Sequence, residues 1–180
     1  MATTTTRLTI EDFERLPAEM AEGHELVDGE LIDVSGNTLQ NNSIRDLLIE
    51  LLRPFVRERG LGTVIGEQEY EFDGNAHGPD VSFFGVEKQP LSDPRRRVQG
   101  FVPDLAIEVV SPNDTFQALV GKKERYRRCG TREVWIISPA SREVYVYSER
   151  GDRILREDAE LSTPLIPGFQ ITVKTLFETM

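Results

Sequence analysis

The chain has 180 residues, 38% of them hydrophobic and 29% charged, with a formal net charge of −10 and a pI near 4.8. That suits one globular domain with a core of its own, and no apolar run approaches the roughly 18 residues that cross a bilayer. The negative surplus counts against sequence-independent nucleic-acid binding over the whole surface, although clustered basic residues can override it locally. A single cysteine, Cys129, excludes an internal disulfide and a thiolate metal cluster. It has no histidine near it and reads as a small filler residue. His24 and His77 are the only histidines, too few for a His-rich zinc site. The opening MATTTTRLTIEDFERLP lacks a signal-peptide core, so a cytoplasmic protein with no membrane contact is expected.

Thr9 followed by Glu11 and Asp12 predicts a capped helix that ends near Leu16, before Pro17. In HELVDGELIDVS two alternating runs flank Asp28-Gly29, a hairpin signal, with strands over 24–27 and 30–34. Ile44, Leu47, Leu48, Leu51, Leu52, Phe55 and Val56 form a helical stripe, capped by Asn42 or Ser43, closed by Gly60, and kinked or tightened by Pro54. Strands are expected over 63–66 and 68–72, then a turn in DGNAHGPD and a short strand over 80–84. GVEKQPLSDPRRRVQG reads as a mobile polar loop. A buried strand over 103–110 leads through SPND into a helix over about 115–128, closed by Gly130. Strands follow in REVWIISP, REVYVYSE and DRILRED, then over 165–173, with a short helix over 175–180. The order predicts a mixed sheet with one helix on each face, whose central strands are the continuously apolar 104–110 and 133–138.

Glu108 stands in the middle of LAIEVV, where a carboxylate is costly unless paired. Alternation puts Asp104, Ala106, Glu108 and Val110 on one face. Pairing 80–84 with 104–110 brings Asp80 close to Glu108, and two such carboxylates repel unless protonated or bridged by a cation. Hard oxygen ligands completed by water suit Mg²⁺ or Mn²⁺. Phe116, Leu119, Lys122 or Lys123, and Tyr126 recur on one face of the next helix, with Lys122 and Tyr126 one turn apart. Lys122 can reach the carboxylates from there. Two accounts of Glu108 stand at this point: an ion pair with Lys122 alone, or an acidic site with a functional cation. Two basic clusters, Arg95-Arg96-Arg97 and Lys122, Lys123, Arg125, Arg127 and Arg128, are either solvated faces or phosphate contacts.

HELVDGELIDVS, GPDVSFF, FVPDLAIEVVSPND, KKERYRRCGTREVWIISP and LIPGFQITVKTLF, in that order and spacing, resemble the Uma-two family of restriction-endonuclease-like proteins in the PD-(D/E)XK nuclease superfamily. The resemblance covers nearly the whole chain. It implies a restriction-endonuclease-like α/β (α+β) core of helix, three strands, helix and strand. It also implies metal-dependent phosphodiester hydrolysis, with Asp80 as the "PD" aspartate and Glu108 as the acid of the "(D/E)XK" strand, both holding Mg²⁺. The motif lysine belongs two residues after the acid, where this chain has Val110; Lys122 on the following helix fits the vacancy. Glu25 matches a family carboxylate, Asp104 follows a second Pro-Asp pair, and Tyr126 orients Lys122 or packs. Many relatives carry a histidine before the first long helix; Asn41 or a neighbour takes that place here.

The leading expectation is a Mg²⁺- or Mn²⁺-dependent DNA endonuclease using Asp80, Glu108 and Lys122. Arg95, Arg96, Arg97, Lys123 and Arg127 would contact phosphates. The alternatives are an inactive nuclease fold serving as an interaction or regulatory protein, and an enzyme acting on another phosphate substrate. Cutting both strands of a duplex needs two sites, so a homodimer is expected, with strands near 143–157 supplying an edge.

Overall fold

The structure, a computed structural model, describes residues 7–178. Thr9 accepts from the N–H of Asp12 while the Asp12 carboxylate accepts from the Thr9 N–H, a capping box on α1 (Ile10–Glu14). After Pro17 come α2 (Ala18–Ala21) and the strands β1 (His24–Val27) and β2 (Glu30–Asp33). Asp28 and Gly29 join them with positive φ, 50° and 81°, as a type I′ hairpin turn requires. The long helix α3 (Leu39–Glu58) continues through Pro54. Its cap is Thr38 rather than Asn42 or Ser43: the Thr38 hydroxyl accepts from the Asn41 N–H, and the helix starts about one turn earlier than expected.

Four strands follow: β3 (Gly62–Gly66), β4 (Glu69–Phe72), β5 (Asn75–His77) and β6 (Val81–Gly85). DGNAHGPD is more than a turn. Asp73 and Gly74 alone reverse the chain, and β5 runs back along β4. The stretch expected as a mobile loop is tied down by its own polar groups. Val86–Leu91 is a 3₁₀ helix, and β7 (Val98–Gln99) lies parallel to β4. The Gln99 amide accepts from the Asp93 N–H and donates to the carbonyls of Asp93 and Arg96.

Next come β8 (Leu105–Val109), α4 (Phe116–Arg128), β9 (Glu133–Ser138), β10 (Glu143–Ser148) and β11 (Arg153–Leu155). β12 (Glu160–Ser162), β13 (Gln170–Thr172) and α5 (Val173–Phe177) close the described chain. Only the end of the strand expected over 165–173 is extended. Pro164, Pro167 and Gly168 interrupt it, and Ile166 and Phe169 turn into the core. The helix expected over 175–180 begins earlier, at Val173, and residues 179–180 lie outside the described residues.

The central sheet has the order β11-β10-β9-β8-β6-β3, with β8 and β9 parallel and the other neighbours antiparallel. β4 leaves it for a second sheet, β2-β1-β5-β4-β7; β12 and β13 form a ribbon. Alternation on β8 sorts the two faces. Leu105, Ile107 and Val109 meet the α3 stripe of Ile44, Leu48, Leu52 and Val56. Ala106 meets Tyr126 of α4 together with Tyr70 and Phe72 of the second sheet. Each such buried aliphatic or aromatic side chain contributes about 1.5–3 kcal/mol. Phe116, expected on the inner face of α4, is 83% exposed; Leu119, Lys122 and Tyr126 face inward. No helix among the described residues is long and apolar enough to cross a membrane.

Candidate active site

β6 and β8 pair with Val81 opposite Ile107. The same register, extended by one residue, sets Asp80 across from Glu108. Pro79 leads Asp80 into the strand, and Asp80 Oδ2 accepts from the N–H of Val109 at 2.6 Å. Glu108 points to the α4 face. Its Oε1 accepts from the Tyr126 hydroxyl at 2.6 Å, and its Oε2 lies 3.4 Å from the Lys122 ammonium. Thr115 caps α4 through the Ala118 N–H and fixes where that helix begins; Lys122 and Tyr126 then stack one turn apart.

Lys122 has a second partner. Glu25 on β1, buried, receives it at 3.1 Å through Oε1, which also accepts from the Gly78 N–H. Glu25 Oε2 is 2.8 Å from Nδ1 of His77. Across the site Asn41, in the first turn of α3, donates to the carbonyls of Val109 and Val110 at 3.2 and 3.0 Å.

The carboxyls differ sharply in acidity. Burial pushes Asp80 up to about 6, against the opposing pull of the Val109 N–H and of Lys122 and Arg45. Burial pushes Glu108 up to about 8; Lys122 counters this, while Asp80 and Glu25 add to it. Burial acts on Glu25 too, but Lys122 and His77 outweigh it and hold the carboxyl at about 2. Burial alone would favour a neutral Lys122, yet Glu108 and Glu25 raise its pKa and keep it an ammonium. Tyr126 is raised by burial and by Glu108, and His77 is lowered by burial. Glu108 does pair with Lys122, but not as an isolated pair, since Glu25 shares the same ammonium and Asp80 stands across the strand.

Residues 10–174 match the model of the Uma2 family, described as "Putative restriction endonuclease". The chain belongs to this family. A solved structure shares its fold: "a putative nuclease belonging to DUF820" from Anabaena variabilis ATCC 29413, with a TM-score of 0.84 and 21% identity over 96% of this chain and 98% of that one. A search of curated proteins found no match.

In this Uma2 chain Asp80, Glu108, Lys122, Glu25 and Tyr126 converge. Asp104 does not join them. It lies before the opposite end of β8, where Gly85 N–H and Lys88 bind its carboxylate at 2.9 and 2.8 Å. The basic candidates are engaged elsewhere. Arg96 pairs with Glu14; Arg97 pairs with Glu69, donates to the Ala21 carbonyl and stacks on Phe13. Lys123 pairs with Glu124 and lies over the Tyr147 ring, and Arg127 donates to the carbonyls of Thr131 and Arg132. Arg95 extends into solvent beside Asp93. Burial pushes the Cys129 thiol up, in keeping with a filler residue. His77 was missed as a site residue. Its signal was Asp73-Gly74, the same hairpin dipeptide that located β1 and β2.

Proposed function

We propose that this chain is an endonuclease that hydrolyses DNA phosphodiester bonds with Mg²⁺ or Mn²⁺ held by Asp80 and Glu108. The observation that carries this reading is the register that sets those two carboxylates face to face, with Lys122 beside them. The donor set fits a hard divalent cation. Burial raises the pKa of both carboxyls above the ordinary carboxylate range, so they lack the positive charge that would let both ionise. Among the described residues no group of three His, Cys, Asp or Glu is placed to hold an ion, so water would complete the shell, as Mg²⁺ prefers.

A divalent cation bound there supplies the positive charge that phosphodiester hydrolysis requires. The chain's own residues do the rest. Tyr126 aims Glu108 through one oxygen, and the Val109 N–H fixes Asp80. Lys122, kept cationic by two carboxylates, offers N–H donors to a non-bridging phosphate oxygen. Backbone contacts along DNA fall first to Arg95, which is 88% exposed and paired only with its near neighbour Asp93; Arg96, Arg97, Lys123 and Arg127 would first have to release partners that tie them to the rest of the fold. Cutting both strands would take two copies, and β11, with Ile154 exposed at the sheet edge, is the surface offered.

The test is Mn²⁺-dependent nicking of supercoiled plasmid DNA. Glu108→Ala, Asp80→Ala and Lys122→Ala should each lose about 100-fold or more in rate, the scale of one preorganised electrostatic contact. Equal nicking by wild type, Glu108→Ala and Lys122→Ala would mean a contaminant and defeat the reading.

A further inference from the structure

The buried polar chain continues past Lys122. Glu25, which takes the Lys122 ammonium, is held from behind by His77. His77 is held by Arg125, and Arg125 reaches on to Asp28 in the β1–β2 turn. The bond directions follow from chemistry. Arginine has N–H donors and no acceptor. Its Nη1 lies 3.0 Å from Nε2 of His77, so Nε2 is the bare, accepting nitrogen. The proton then sits on Nδ1 and is donated to Glu25 at 2.8 Å. Burial lowers the pKa of His77, which agrees with this neutral tautomer.

Glu25 therefore receives three donors: His77 Nδ1–H, the Gly78 N–H and Lys122. Both of its oxygens are taken, which makes it a fixed anion and a good anchor for an ammonium. Lys122 needs an anchor. A lysine at position 110 would be aimed by the strand that carries Glu108. On a helix the same group swings on a flexible four-carbon stem and must lose that rotamer freedom to be held.

We propose that Glu25, His77 and Arg125 form a positioning relay that fixes Lys122 against Glu108, so that the second sheet supplies what the chain lacks at Val110. Glu25 is thus a positioning residue, and so are His77 and Arg125, which act on Lys122 only through it. The inference rests on the nuclease reading for its consequence, but where Lys122 stands can be read without any cleavage.

In protein labelled with ¹⁵N-lysine, the locked Lys122 ammonium should give a slowly exchanging Nζ signal, assigned by its loss in Lys122→Met. Arg125→Met and His77→Leu should each speed that exchange about tenfold or more. His77→Asn should keep it slow, because its amide nitrogen takes the place of Nδ1 as donor to Glu25. Arg125 is partly exposed, so Arg125→Met keeps the test open if His77→Leu does not fold. Where wild type cleaves, kcat should fall about 10- to 100-fold in Arg125→Met with KM unchanged. A Lys122 signal as slow in the folded variants as in wild type overturns the relay. Faster exchange in both variants, beside a wild type that never cleaves, overturns the nuclease reading and leaves the relay standing.

Discussion

The hydroxyl of Tyr126 donates to Oε1 of Glu108 at 2.6 Å, from a ring that is wholly buried and packed 4.4 Å from that of Phe72. This bond opposes the upward push of burial on Glu108. It does two things at once: it packs α4 onto β8, and it aims the carboxylate.

Tyr126→Phe separates the two, since it keeps the ring and removes the donor. Urea unfolding should show a loss of about 1–3 kcal/mol, the range for a stranded acceptor or a bond to a charged group. The loss should be larger at pH 9 than at pH 5, because ionised Glu108 needs the donor more than the protonated acid does. An equal loss at both values would show that the bond does not act on the charge of Glu108.

Stability without metal should depend on pH in a way set by these carboxyls. Asp80 and Glu108, at about 6 and about 8 in the folded chain, bind protons more tightly than unfolded carboxyls with pKa of roughly 3.9 and 4.3. Their contribution is full below about pH 4 and is lost as pH rises through about 6 and then about 8. Glu25 works the other way. At about 2, its contribution is present above roughly pH 4.3 and lost as pH falls toward 2. Melting temperature in EDTA should therefore decline from mildly acid to mildly alkaline pH, and Mn²⁺ should restore most at the alkaline end. Asp80→Asn combined with Glu108→Gln should flatten the decline and abolish the Mn²⁺ response. A wild-type melt in EDTA that does not change between those extremes would count against two buried, cation-seeking carboxylates.

The core of the site was legible because it follows from strand alternation and one register. Asp80, Glu108, Lys122 and Tyr126 needed only a period of two, a period of 3.6 and an antiparallel pairing. His77 and the role of Arg125 were not legible. Recognising them requires that β4 leave the central sheet and pair with β5, a tertiary choice that no local pattern dictates. The ion pairs of the arginine run were hidden for a related reason: Glu14 and Glu69, the partners of Arg96 and Arg97, lie far from them along the chain. The strand expected over 165–173 failed on sequence signals that were present, the prolines and glycine that break it.

Asp104 is a buried acid that lies apart from Asp80, Glu108 and Glu25. Lys88 and the Gly85 N–H satisfy its buried carboxylate, and its backbone carbonyl accepts from the N–H groups of Arg132 and Glu133. Asp104→Ala should cost about 2–4 kcal/mol by leaving the Gly85 amide without its acceptor and the Lys88 ammonium without its counter-charge, held only by the Val102 carbonyl. Mn²⁺ binding by calorimetry should not change. Weakened Mn²⁺ affinity in a folded Asp104→Ala protein would show that this end of the strand does reach the site.

Asn41 clamps the strand just beyond Glu108. Its amide donates to the carbonyls of Val109 and Val110, while its own oxygen accepts from the Thr38 hydroxyl at 2.7 Å. One side chain thus joins the cap of α3 to the strand end whose Val109 N–H holds Asp80. Asn41→Ala should cost about 1–3 kcal/mol in unfolding free energy and weaken Mn²⁺ binding, because two carbonyls lose their donor and the strand end loosens. Asn41→Asp should be worse than alanine at pH 7, where it turns a carboxylate toward two carbonyl oxygens. It should recover toward wild type as pH falls and the acid gains a proton to donate. Urea titrations of the three proteins at neutral and acid pH decide the point: if Asn41→Asp and Asn41→Ala match at neutral pH, the donors of Asn41 are not what holds the strand end.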